Sequence, residues 1–274
     1  MEQDNSQQEH EVEEMASGMT SSPHSEGNRV SRNTLWHMSR TLNPVAHLIV
    51  LSDPSIIVSQ TQLRLSTRRW WELAKQALQF LPAQEVGHRR DRTQRLAWWY
   101  TKGECRCQYQ YGGFRHKSEP RLALIIKPML DFLLDKILLL ILGSIDGGYL
   151  SIGPNSALVN FYPDAEAWCD WHSDNELLFG NKDEHVTIIS LSIGATRTFA
   201  FRDKKSKQVL ANVPLENGTV LVMEGHTQRV TEHSLMKGEA GSGPRFNITW
   251  RWIRHHQHHC PLTGMNTPCF VDPL

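Results

Sequence analysis

The stretch Asp170-Trp-His-Ser-Asp174 holds an imidazole and a carboxylate two residues apart. On an extended strand, side chains at that spacing leave the same face, so His172 and Asp174 can share one metal ion. His233, well downstream, is the candidate third ligand. Two histidines and one carboxylate, with the remaining positions open, form the facial triad of non-haem iron(II) chemistry. Zinc is the weaker reading, because catalytic zinc usually keeps a single open position. A His-x-Asp pair also arises by chance, and 14 histidines make coincidence easy.

A second constellation weighs against chance. In Arg245-Phe-Asn-Ile-Thr-Trp-Arg251 the alternation of a strand puts Arg245, Asn247, Thr249 and Arg251 on one face. Two guanidinium groups on one sheet face repel unless an anion lies between them. A dicarboxylate such as 2-oxoglutarate satisfies both. The alternative is an exposed edge whose arginines are simply solvated.

These residues need a scaffold. Beyond Tyr149 the chain consists of short β-branched and aromatic runs, at 157–162, 186–192, 197–201, 219–223 and 246–252, divided by turn residues such as Asn217-Gly218. That spacing predicts a sandwich or barrel. Helical periodicity precedes it over Thr67 to Gln84 and over Pro128 to Leu142. The apolar stretch Leu122 to Leu142 carries Lys127, Pro128, Asp131, Asp135 and Lys136, which predicts a buried amphipathic helix and no membrane span. Residues 1–45 are polar and acidic, and are expected to form a disordered leader without a signal sequence. The expected domain covers 46–254, with a His-rich tail at 255–274.

Basic and acidic side chains balance at 29 each, so no global field draws in nucleic acid, and any such contact must be local. Five cysteines occur without a Cys-x-x-Cys pair. That pattern argues against both a structural zinc site and a disulfide framework. The tail Arg254-His-His-Gln-His-His-Cys260 is at most a weak metal-binding strip, and buried, inert thiols are expected at Cys105 and Cys107.

In their order, His172-x-Asp174, His233 and the Arg-x-Asn-x-Thr-x-Arg strand resemble the AlkB family of nucleic-acid dealkylases. Further blocks are similar to that family: Asn155 to Tyr162, Trp171 to Glu176, Ser190 to Phe199 and Gly218 to Gln228. They are closest to the homologue-three type and next to homologue two. The resemblance runs from about Trp98 to Trp252. It implies a double-stranded β-helix, or jelly roll, mainly β with supporting helices and preceded by a nucleotide-recognition region. It also implies Fe(II) held by His172, Asp174 and His233, with 2-oxoglutarate and O2 as co-substrates. By resemblance, Asn160 and Tyr162 join Arg245, Asn247 and Arg251 around 2-oxoglutarate. The implied reaction is oxidative demethylation of bases of the 1-methyladenine and 3-methylcytosine type, releasing succinate, carbon dioxide and formaldehyde.

The implied substrate is alkylated DNA or RNA, single-stranded, met by a monomer in the nucleus or cytoplasm. Regulatory RNA methylation or a protein side chain is the alternative target. A base must be unstacked to reach such a site, and aromatic faces usually hold it. Trp99, Tyr100, Tyr109 and Tyr111 are the candidates, each with core packing as the alternative. Arg89, Arg90, Arg92 and Arg95 are candidate phosphate contacts, or solvated loop residues. The family pattern His-Ser-Asp-Asp-Glu departs here to Asn175 before Glu176. A neutral amide brings no negative charge toward a cationic methylated base.

Overall fold

The β-branched and aromatic runs fold as strands in a computed structural model of the protein. It describes residues 47–49, 56–62, 68, 71–72, 75, 84–86, 95–111, 114–123, 126–127, 129–131, 153–180 and 186–264. The leader, the basic stretch Arg89 to Arg92, Cys269 and most of the two helical segments lie outside the described residues. Of those segments Arg68, Trp71, Glu72 and Lys75, then 129–131, are helical.

Early strands are β1 (His47–Ile49), β2 (Ile56–Gln62), β3 (Gln84–Val86), β4 (Arg95–Thr101), β5 (Tyr109–Tyr111) and β6 (Phe114–His116). After these come β7 (Ser156–Tyr162), β8 (Cys169–His172), β9 (Ile188–Gly194), β10 (Arg197–Asp203) and β11 (Val209–Leu215). The last are β12 (Thr219–Gly225), β13 (Thr231–Leu235) and β14 (Arg245–Arg251), with a single helical turn α1 (Thr227–Val230) between β12 and β13.

The larger sheet runs β1-β2-β12-β9-β14-β7-β4-β3 and the smaller β11-β10-β13-β8, while β5 and β6 form a separate hairpin. From β7 onward, successive strands alternate between the two sheets except at the β10–β11 hairpin, and every pairing is antiparallel. This is the expected jelly roll. Three more strands on one side of β12 or β7 (β2, β4 and β3) extend the larger sheet, with β1 at its edge.

Strand β9 is buried along almost its whole length, because both its faces are covered. Ile188 faces the inter-sheet core with Leu158, Phe201, Leu221, Met223 and Leu235. Ile189 and Leu191 face outward against Leu122, Ile126, Met129 and Trp250. Leu122, Ile126, Met129 and Leu130 of the apolar segment therefore contribute to a second core layer. Among the described residues no helix is long and apolar enough to cross a membrane.

The turn from β9 to β10 fixes the edge of the site. Gly194 has φ +100°, and a Cβ there would lie 2.5 Å from the Pro244 carbonyl oxygen. Only glycine tolerates both demands. Its N–H donates to Asn217 Oδ1 at 2.9 Å, and the residue pairs directly with Arg245.

Candidate metal centre and co-substrate cavity

Strands β8 and β13 pair so that His172 stands directly opposite His233, with ring centroids 4.3 Å apart. Strand β8 ends at His172, so Asp174 lies just past it in the connection. There its N–H donates to Gln228 Oε1 at 2.9 Å, and Ser173 Oγ donates to the Thr231 carbonyl at 2.7 Å. These bonds hold the carboxylate on the side expected of a continued strand. The ligand atoms of His172, Asp174 and His233 all lie within 4.8 Å of one another.

The donor set suits a cation. Asp174 Oδ2 accepts from Arg251 Nη2 at 2.5 Å and Nε at 3.2 Å, while the buried Oδ1 has no hydrogen-bond partner. An unsatisfied buried carboxylate oxygen is costly, and a metal ion satisfies it. His172 Nδ1 lies 2.7 Å from the Asp170 carbonyl, which can only accept. The proton therefore sits on Nδ1, leaving Nε2 as a ligand.

The charges agree with this. Burial pushes the Asp174 carboxyl up, but Arg251 and the two imidazoles hold it well below the ordinary carboxylate range. Burial, aided by His172, lowers His233 to about 3, which keeps it in the neutral ligand form. For His172 burial opposes charge, but the Cys169 thiol and Asp174 lift it to about 9. A cation in the triad competes with that proton.

Beside the triad lies a cavity that opens to solvent, with about 550 Å³ of space when that opening is included. Asn160 and Tyr162, named by resemblance, and Arg245, Asn247 and Arg251 all line it. Arg245 is 1% and Arg251 3% exposed, so the alternative of solvated arginines on an edge is excluded. Their roles differ, however. Arg251 is paired with Asp174, whereas Arg245 donates only to Ser192 Oγ at 2.8 Å and weakly to the Leu215 carbonyl at 3.4 Å. Among the described residues no carboxylate pairs with Arg245, and burial lowers it to about 10. A buried guanidinium without a counter-charge marks an anion site.

Asn160 Oδ1 is buried without a partner. Asn247 is already satisfied, donating to Ser190 Oγ and the Leu191 carbonyl and accepting from Thr249 Oγ1.

Arg95 is a correction. It is buried in this cavity, with Nη1 3.0 Å from Cys169 Sγ and its guanidinium at the Tyr162 hydroxyl, so it is no surface phosphate contact. It shares the inward face of β4 with Ala97 and Trp99, while Leu96, Trp98 and Tyr100 face outward. The alternation was available as a signal, but the neighbouring arginines masked it. Cys169, also on the cavity wall, was not anticipated.

The aromatic candidates separate. Tyr100 packs in the outer core with Trp98 and Leu122, away from the cavity, which corrects its expected stacking role. Trp99 is fully buried too; its indole donates to the Cys107 carbonyl and its ring stacks on Tyr109 at 5.0 Å. It backs the wall that Tyr109 forms. Tyr109 lines the cavity and donates from Oη to Glu176 Oε1 at 2.9 Å. Burial, with Asp174 nearby, raises Glu176 to about 7. Asn175 is exposed, and the Tyr111 side chain lies outside the described residues.

Another departure concerns the thiols. Residues 255–260, expected as a separate tail, pack on the β4–β5 connection. Cys105, Cys107, His256 and Cys260 bring their ligand atoms within 4.8 Å of one another. Cys105 and Cys107 are buried and free, as expected, but they are gathered with His256 and Cys260, which the lack of a Cys-x-x-Cys pair did not suggest.

Residues 57–251 match the family model described as 2OG-Fe(II) oxygenase superfamily. The chain is similar to the mouse protein named alpha-ketoglutarate-dependent dioxygenase alkB homolog 3, at 40% identity over 107 residues. It is also similar to the Arabidopsis thaliana DNA oxidative demethylase ALKBH2, at 31% over 121 residues. The first match spans 36% of this chain and 36% of the relative, the second 36% and 38%. The chain thus aligns with about a third of the length of these curated relatives. Their names agree with the AlkB resemblance carried by the sequence blocks. By the match over 57–251, the chain belongs to the 2OG-Fe(II) oxygenase superfamily, whose members use Fe(II), 2-oxoglutarate and O2.

Proposed function

We propose that the chain oxidatively demethylates N-alkylated bases in nucleic acid, with 2-oxoglutarate as co-substrate. The observation that carries this reading is Arg245, a buried cation without a carboxylate partner among the described residues, in the same cavity as the His172, Asp174 and His233 donors. A dicarboxylate placed there neutralises Arg245 at one end and reaches the triad at the other. Tyr162 and Asn160 supply the neutral polar groups that complete such an anion site. The bound iron supplies the activation of O2 and oxidation of the methyl group.

The chain's own residues do the rest. Arg251 holds Asp174 Oδ2, so the orientation of Oδ1 does not depend on the metal alone. Tyr109, braced by Trp99, and Glu176 form the substrate side of the cavity. The name of the Arabidopsis relative, DNA oxidative demethylase, supports methylated DNA as target. Asn175, exposed beside Glu176, is not part of the cavity lining, so its contact with nucleic acid would be made from outside the cavity.

Formaldehyde release from 1-methyladenine and 3-methylcytosine oligonucleotides tests the reading, with DNA and RNA each single- and double-stranded. Release that requires both Fe(II) and 2-oxoglutarate, strongest on a single strand, is the expected result. Succinate formation with no formaldehyde from any of these would overturn the base-demethylase reading.

A further inference from the structure

We propose that Cys105, Cys107, His256 and Cys260 form a structural zinc site that fastens the C-terminal segment to the base of the β5–β6 hairpin. His256 Nδ1 lies 3.6 Å from Cys105 Sγ, 3.4 Å from Cys107 Sγ and 3.5 Å from Cys260 Sγ. Cys260 Sγ is 3.8 Å from Cys105 Sγ. Zn–S bonds of about 2.3 Å and Zn–N bonds of about 2.0–2.1 Å at tetrahedral angles imply edges of ~3.8 Å for S–S and ~3.6 Å for S–N. These four of the six edges match a tetrahedron of zinc size, and the two that involve Cys107 Sγ and another sulfur are no longer than 4.8 Å.

A disulfide does not account for this arrangement. The Cys260–Cys105 separation is far from the bonded value of about 2.05 Å, and all three thiols are free. Three sulfurs and one imidazole nitrogen are a common structural zinc set, and softer ligands of this kind disfavour magnesium, calcium or manganese. Four protein ligands leave no open position, so the site is structural rather than catalytic.

The backbone around the cluster is arranged as it is around metal-bound thiolates. The Arg106 N–H points at Cys260 Sγ at 3.4 Å, and the Gln257 N–H at Cys107 Sγ at 3.3 Å. Gln257 also brackets Gln108, accepting from its N–H at 2.7 Å and donating to its carbonyl at 2.9 Å.

What the site would do follows from its neighbours. The segment 252–264 has no strand or helix of its own; Ile253 is held by Asn155 and residues 254–255 by the Leu178 carbonyl, and past them the contacts to 105–108 fix its course. On the other side, the Cys107 carbonyl receives the Trp99 indole N–H at 2.9 Å, and the Cys105 carbonyl receives Thr101 Oγ1 at 2.7 Å. Trp99 stacks on Tyr109, the wall of the cavity. A cation binding only the folded arrangement stabilises it by mass action and fixes that wall indirectly.

Metal content of the purified full chain tests this, measured by inductively coupled plasma mass spectrometry after zinc-supplemented expression under reducing conditions. A His172→Ala, His233→Ala double variant removes the other metal-binding cluster and is expected to keep about one zinc per chain. Cys107→Ser, Cys260→Ser in the same background is expected to bind at least tenfold less. Zinc absent from the first variant, or retained by the second, would overturn the proposal. If the cysteine variant fails to fold by circular dichroism, X-ray absorption on the His172→Ala, His233→Ala chain decides. Three sulfur scatterers near 2.3 Å and one nitrogen support the site; an oxygen and nitrogen shell contradicts it. These readouts do not depend on dioxygenase activity, so they succeed or fail separately from the proposed reaction.

Discussion

At the residue scale, the cavity depends on a buried guanidinium, Arg245, that has no carboxylate partner among the described residues. Arg245→Ala should therefore raise the KM for 2-oxoglutarate. Loss of one partner of a buried charged pair costs about 2–5 kcal/mol, which corresponds to roughly 30-fold or more. Initial rates of succinate formation against 2-oxoglutarate concentration check this, and an unchanged KM would remove Arg245 from the site. His116 offers a pH test. Burial, with Arg95 nearby, lowers it to about 4. The unfolded chain then binds this proton below about 6.5 and the folded chain only below about 4, so His116 makes stability fall as pH drops between those values. His116→Gln should flatten that part of the curve in urea midpoints measured from pH 7 to 4. The Arg245–Arg251 strand was legible because spacing of two on a strand fixes a shared face, whereas Asp174 lies past the end of β8 and His233 joins only through pairing with β13. Arg95 was misread, because its neighbours Arg89, Arg90 and Arg92 suggested a loop and only its burial on β4 shows its direction.

At the element scale, register does most of the positioning. His233 meets His172 because β13 pairs with β8, and Arg245 meets Gly194 because β14 pairs with β9. Gly194→Ala would place a methyl group 2.5 Å from the Pro244 carbonyl at φ +100°, so the β9–β10 turn must distort. A cost of about 1–3 kcal/mol is expected, read as a drop of several degrees in Tm, together with weaker 2-oxoglutarate binding. An unchanged Tm would show that the turn yields freely. The strands were legible from alternation and turn residues. Pairing between sheets was not, since nothing local to β8 names β13 as its neighbour. The Cys105, Cys107, His256 and Cys260 cluster was hidden for the same reason. Its halves lie 155 residues apart in the chain, and each half alone is an unremarkable pair. The aromatic run of β4 divides between two cores, which composition could not resolve: Trp99 faces in and Tyr100 faces out.

At the scale of the whole molecule, the jelly roll gathers the metal donors, the anion site and the Tyr109 wall around one cavity. Its outer sheet face is sealed by the apolar segment from Leu122, so both faces of β9 are dry and the scaffold is rigid behind the site. The account stands or falls on the triad holding the iron that couples 2-oxoglutarate to O2. The most direct measurement is iron-dependent conversion of 2-oxoglutarate to succinate by the full chain, alongside His172→Ala and Asp174→Ala. Succinate from the unchanged protein, with loss of at least a hundredfold in both variants that remain folded, is the predicted result. Succinate production that survives His172→Ala would contradict the metal assignment.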